Sequence, residues 1–192
     1  MAKERVNRRT GWVLAVSIWT FGLAIGLGLV SQLLLTRIGS ILISFLILIL
    51  VVILGVIFDL VGTAVTAARQ SPLNAKAARK VPGAKEAVNL VQNADRVANF
   101  CNDVVGDISG IVSGALAALL IVKVYLRWSE RLMPQTEIYF NIILTASVAA
   151  LTVGGKALGK SIAINRSTEV ILIVGRLITR LKKLPGLFQF YR

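Results

Sequence analysis

The feature that most narrows the fold is residues 38–58, a stretch with no charged side chain, built of Ile, Leu, Val and Phe with two glycines and two serines. It matches the about 20 residues that a helix needs to cross a bilayer core. Inside lipid, only a helix or a closed barrel satisfies its own backbone. Further apolar runs cover residues 11–35, 104–126 and 138–151. The last reaches spanning length if it continues through Gly154, Gly155 and Lys156 to Leu158. At 56% hydrophobic residues and a mean hydropathy of +0.76, the 192-residue chain carries more apolar surface than a soluble domain of this size can hide. The expected class is therefore all-α: a polytopic membrane protein of four transmembrane helices with amphipathic juxtamembrane helices. The run at 11–35 follows Lys3, Arg5, Arg8 and Arg9 but exceeds the h-region of a signal peptide and lacks a small-x-small cleavage site, so it is expected to stay as a span.

Only Thr36 and Arg37 separate the first two runs, which predicts a tight helical hairpin. From Thr63 to Asn102 the composition turns to Ala, Asn and Lys with Pro72 and Pro82, predicting short amphipathic helices on the membrane surface. Beyond the last run, Val170, Ile171, Val174, Leu177, Ile178, Leu181 and Leu184 recur at helical spacing beside Arg176, Arg180 and Lys183. That pattern predicts a basic juxtamembrane helix in the headgroups, with a partner-binding helix as the alternative. The chain thus divides into a basic N-terminus and extra span (1–36), a transmembrane domain (37–164) and a juxtamembrane helix and tail (165–192), with no cytosolic domain expected after it.

Of the 22 Lys and Arg residues, 18 lie before the first run, between Arg69 and Arg96, or from Lys156 onward, and four lie in the two other connections. Cytoplasmic loops collect basic residues, so both termini and the central polar region are expected in the cytoplasm, with the protein in the plasma membrane. Four crossings return the chain to its starting side. The net charge of +13 sits between apolar runs, where it faces the anionic headgroups of the cytoplasmic leaflet. A nucleic-acid partner is not expected, because the charge does not follow polar, aromatic-studded segments.

Asp103 and Asp107 are four residues apart at the cytoplasmic entrance of the third span and on an α-helix would share a face, near Asn99 and Asn102. A carboxylate pair beside amides suits a hard cation. Asp59 closes the second span, and Lys156 and Lys160 lie at the same cytoplasmic depth. Ionisable groups inside a membrane need a cavity or each other. Asp59, Asp103, Asp107 and Lys156 therefore form the candidate ion site or its salt-bridged remnant, with Asp59, Asp103 and Asp107 as the metal-binding carboxylates. The alternative is separate charges that snorkel to water. Gly106, Gly110 and Gly114 recur every fourth residue, with Ser109 and Ser113 beside them, a stripe that serves either internal packing or a dimer seam. Enzymatic activity is not expected. The chain has no histidine, a single cysteine, Cys101, and no glycine-rich phosphate loop in a strand-turn-helix context.

Between about Ile57 and Leu177 four stretches follow the motifs of one family. The family pattern F-S-A-S-E-T-A-L corresponds to Phe58, Asp59, Leu60, Val61, Gly62, Thr63, Ala64 and Val65, where the frame survives but the polar centre differs. The pattern G-A-K-x-x-x-x-L-x-x-N-P-D-R is met by Gly83, Ala84, Lys85, Leu90, Asn93, Ala94, Asp95 and Arg96. A G-N pattern falls near Gly106 and Asp107 with a small shift in spacing. G-E-I-T-P-K-S-L-A is met by Gly155, Lys156, Ala157, Leu158, Gly159, Lys160, Ser161, Ile162 and Ala163. On these motifs the chain resembles, from about Ile57 to Leu177, the transmembrane domain of the CNNM/CorC family. The resemblance implies a three-span bundle with juxtamembrane helices, preceded here by an extra span, a homodimer or a heterodimer with a related chain, and Mg2+ as the ion. It also implies that Lys156 stands where the family places a metal-binding Glu, Gly62 where a second Glu stands, and Gly159 where a Pro stands. The family's paired CBS domains have no counterpart. Three readings follow: a magnesium or other divalent-cation transporter with an altered site, a non-transporting partner in which Lys156 replaces the cation, and a protein that keeps only the scaffold.

Overall fold

The computed structural model describes residues 14, 17–26, 28–30, 32–33, 40–128 and 134–182. Among these the secondary structure is helical, with no strand. In chain order the helices are α1 (Ile41–Ala67), α2 (Gln70–Ala78), α3 (Ala84–Gln92), α4 (Ala94–Ala98), a π-helix (Asn99–Gly106), α5 (Asp107–Trp128), α6 (Pro134–Asn165) and α7 (Ser167–Lys182). Three stretches are long and apolar enough to cross a membrane: Ile41–Ala67, Ala94–Arg127 and Asn141–Asn165. The expected N-terminal span is described only in part, as the shorter apolar helix Ser17–Val30. The rest of residues 11–35, the hairpin turn at Thr36 and Arg37, and the juxtamembrane residues Lys183 and Leu184 lie outside the described residues.

Two boundaries differ from the sequence expectation. The helix expected to end at Asp59 continues eight residues further to Ala67, because the carboxylate is compensated from another helix and need not leave the apolar run. The last span takes its longer form, with α6 running unbroken through Gly154, Gly155 and Lys156 to Asn165. Pro134 opens α6, where its fixed φ and missing N–H suit the first turn.

The chain forms two compact units. One comprises Met1–Val52 and Ile108–Leu151. Its buried positions Ile108, Val112, Leu116, Ala117, Leu120 and Ile121 fall at helical spacing on one face of α5, with Ser44, Leu48 and Val52 buried on α1. Lys123 donates to the fully buried Ser44 hydroxyl at 3.2 Å. Leu42, Leu46, Leu50, Ile111 and Ile142 are exposed, as suits lipid-facing side chains.

The other unit comprises Ile53–Asp107 and Thr152–Arg192. Its core joins Ala64, Val65, Leu73, Ala87, Ala98, Ala163 and Ile171 from six helices. Most of these side chains are small, so the backbones come close. Gly83 adopts φ +81°, a left-handed conformation that turns the chain into α3 and that residues with a Cβ resist. Gly175 of α7 lies directly on that turn, against the Gly83 carbonyl and the Ala87 amide. Arg176 Nε donates to the Pro82 carbonyl at 3.3 Å, and Lys182 reaches Glu86 at 3.1 Å. Helix α7 is thereby latched over the start of α3.

Candidate ion site

The site is built on a close approach of α6 to α1 in the second unit. A Cβ added at Gly155 would stand 3.0 Å from Val56 Cγ2, and one at Gly159 would stand 3.5 Å from Leu60 Cβ. Together with the fully buried Ala163, these residues form a small-xxx-small-xxx-small seam that brings the two backbones together. Lys156 and Lys160 each follow one seam glycine, and so both stems start beside α1.

The two ammonium groups reach different partners. Lys156 Nζ donates to the Gly106 carbonyl at 3.2 Å and stands 3.7 Å from Asp107 Oδ1. Lys160 Nζ stands 3.7 Å from Asp59 Oδ2. At 3.7 Å each carboxylate contact is an ion pair without hydrogen-bond geometry. Asp107 has a 68% exposed side chain, while Asp59 is only 4% exposed as a residue. Water therefore screens the first pair far more than the second.

Two buried oxygens in this layer lack a hydrogen-bond donor among the described residues, Asp59 Oδ2 and Asn102 Oδ1. Asn102 projects from the π-helix onto Gly62 of α1, where any Cβ would collide with the amide. Gly106, one turn further along the same chain, lies beside Asp59, with 3.8 Å between its notional Cβ and the Asp59 side chain. The antiparallel contact of α1 with the π-helix thus sets Asp59 and Asn102 on facing walls. Both are hard oxygen donors of the kind Mg2+ takes, and the nearby ammonium can only donate.

Of the four residues expected to form one cluster, Lys156 and Asp107 are brought together as an ion pair and the other two are not. Lys156 goes to Gly106 and Asp107, Asp59 goes to Lys160, and Asp103 is exposed. Among the described residues no group of three or more His, Cys, Asp or Glu side chains is placed to hold a metal ion. Asp59, Asp103 and Asp107 accordingly do not converge as a three-carboxylate centre. The premise that Asp103 and Asp107 share an α-helical face also changes, because Asn99–Gly106 is wound with i→i+5 bonds and does not keep the 3.6-residue period.

The expected glycine stripe divides as well. Gly106 is buried against Asp59, whereas Gly110 and Gly114 have open space where a side chain would extend. The close-approach seam within the chain is Gly155, Gly159 and Ala163, which sequence reading did not single out. Its signal was present as small residues spaced by four. The sequence reading named Lys160 and Asn102 but not the pairing of Lys160 with Asp59 or the contact of Asn102 with Gly62. An isolated Gly62 in a long apolar helix was the available hint that something packs there.

The profile described as the cyclin M transmembrane N-terminal domain matches residues 45–188. No curated protein and no solved structure matches the chain.

Proposed function

The chain belongs to the cyclin M (CNNM) transmembrane-domain family, and from that premise we propose that it is a membrane domain of the magnesium and divalent-cation transport type whose ion position is closed by lysine. In this reading it serves as a non-transporting partner or regulator of a related, ion-competent chain. The observation that carries it is the engagement of Lys156 with the Gly106 carbonyl at 3.2 Å and Asp107 at 3.7 Å, at the position where the family resemblance calls for a metal-binding Glu. Lys160 adds a second ammonium at Asp59. A divalent ion about 4 Å from one ammonium meets a repulsion of roughly 8 kcal/mol at an effective dielectric constant of about 20. That is comparable to the whole free energy of micromolar binding, about 8 kcal/mol. In the same reading residues 11–35 add a fourth crossing and both termini are cytoplasmic.

A second reading, direct transport through an altered site, draws on the two donor-less oxygens of Asp59 and Asn102. Thermal melting of purified protein in a Mg2+ titration separates the two. Under the closed-site reading the native chain gains no saturable stabilisation, while Lys156→Glu, alone or with Lys160→Gln, gains about 2.7 kcal/mol at a hundredfold excess of ion over its dissociation constant. Saturable stabilisation of the native chain by Mg2+ would overturn the closed-site reading in favour of the second.

A further inference from the structure

Helix α7 has two apolar faces, and only one of them is used inside the molecule. Ile171, Leu172 and Gly175 are buried, the last against α3. On the opposite side Ile173, Leu177 and Leu181 recur every fourth residue and are 54%, 52% and 52% exposed. Arg176 and Arg180 flank that stripe along one edge, and both are exposed. A water-soluble surface rarely keeps three large aliphatic side chains in a row. At 16 residues with a polar face, α7 is not among the helices able to cross a membrane.

The position of α7 next to a candidate span bears on what the stripe meets. The last candidate span ends at Asn165, and α7 begins at Ser167. Backbone hydrogen bonds from Arg166 to Ile162, and from Glu169 and Val170 to Arg166, carry the chain across the junction without a flexible link. The helix therefore starts at the depth where the span leaves the hydrocarbon. An aliphatic stripe edged by arginine at that depth has the chemistry of a helix lying in the headgroup layer.

We propose that the Ile173–Leu177–Leu181 face of α7, edged by Arg176 and Arg180, docks on the bilayer surface and selects anionic lipid headgroups. The charge complementarity favours a leaflet over a protein surface. The aliphatic residues enter the acyl boundary, and the arginines pair bidentately with lipid phosphates. Arg176 also holds the Pro82 carbonyl, and Gly175 sits on the Gly83 turn, so docking ties leaflet charge to the start of α3. The proposal does not depend on the closed ion site.

The test uses the full chain in nanodiscs of phosphatidylcholine alone or mixed with phosphatidylglycerol. Amide hydrogen exchange of the native chain is followed over residues 170–182. In parallel, an environment-sensitive fluorophore at Ile173→Cys, in a Cys101→Ala background, is exposed to an aqueous quencher. Phosphatidylglycerol is expected to slow exchange and shield the fluorophore relative to phosphatidylcholine. Each of Arg176→Gln and Arg180→Gln should reduce that preference about fivefold, the value of one basic residue at an anionic surface. Leu177→Asn should weaken shielding in both lipids. Equal shielding in the two lipids, no shielding in either, or shielding reproduced by inorganic phosphate added to phosphatidylcholine discs would overturn the proposal. So would shielding that scales with the number of chains per disc, which would assign the face to a second copy.

Discussion

The α3–α7 corner and the Asp59–Asn102 layer belong to the same compact unit, yet they settle their backbones and side chains in opposite ways. At the corner every close contact is matched: Gly83 turns with positive φ, Gly175 fits onto it, and Arg176 and Lys182 find Pro82 and Glu86. In the polar layer two buried oxygens have no hydrogen-bond donor among the described residues, and two lysines stand at ion-pair distance from carboxylates of unequal burial. A protein tolerates incomplete polar satisfaction where function requires it and offsets the cost elsewhere. On that contrast the corner is expected to carry stability and the layer to tolerate change.

If that division holds, the largest loss comes from the corner. Gly175→Leu must push backbone atoms of Gly83 and Ala87, which cannot yield as a side chain would. We expect a destabilisation of about 3 kcal/mol, the upper end for overpacking, read as a lowered melting temperature in detergent. A melt unchanged by this variant would remove the corner's claim. Next is Lys160→Met, which strands the buried Asp59 carboxylate and should cost about 1–3 kcal/mol. The double variant with Asp59→Leu should recover part of that loss, and a purely additive outcome would show that the pair is not coupled. Lys156→Ala should cost less than about 1 kcal/mol, because Asp107 is mostly in water. A larger loss would mean that the Gly106 carbonyl contact matters more than the ion pair. Smallest in its effect on melting is Gly110→Leu, since the added side chain meets open space within the chain. If the chain forms the dimer that the family resemblance implies and pairs through this face, crosslinking should show a lower dimer fraction, and an unchanged fraction or no dimer at all would assign the Gly110–Gly114 face to lipid.

Hydropathy exposed the spans that the structure describes because lipid imposes one demand on every residue of a crossing helix. The run 38–58 could hardly be read otherwise. What hydropathy misplaced was Asp59, which looked like an end because its partner Lys160 lies about a hundred residues away in the chain. Pairing at that separation leaves no local trace. The candidate cluster was legible as a set of charges at the ends of apolar runs. The pairing within it was not, because one helical turn decides whether an ammonium meets Asp59 or Asp107, and that choice depends on the packing of Gly155 and Gly159 against α1. The helical character of α7 was legible over its described residues, because amphipathic spacing is a local property; its division into a packed face at Ile171, Leu172 and Gly175 and an exposed stripe at Ile173, Leu177 and Leu181 was not.

The π-helix at Asn99–Gly106 also bears on how such a chain changes over time. A helix can absorb one extra residue by looping it out, but inside a candidate span the freed backbone groups then need other partners. Widening the winding to i→i+5 keeps those groups paired while admitting the additional residue. The stretch is therefore a natural register store, and it lies where the G-N family pattern aligns only with a shift in spacing. Deleting Val105 should draw the segment back to α-helical winding and turn Asn102 away from Gly62, rotating one wall of the polar layer without touching any of its charges.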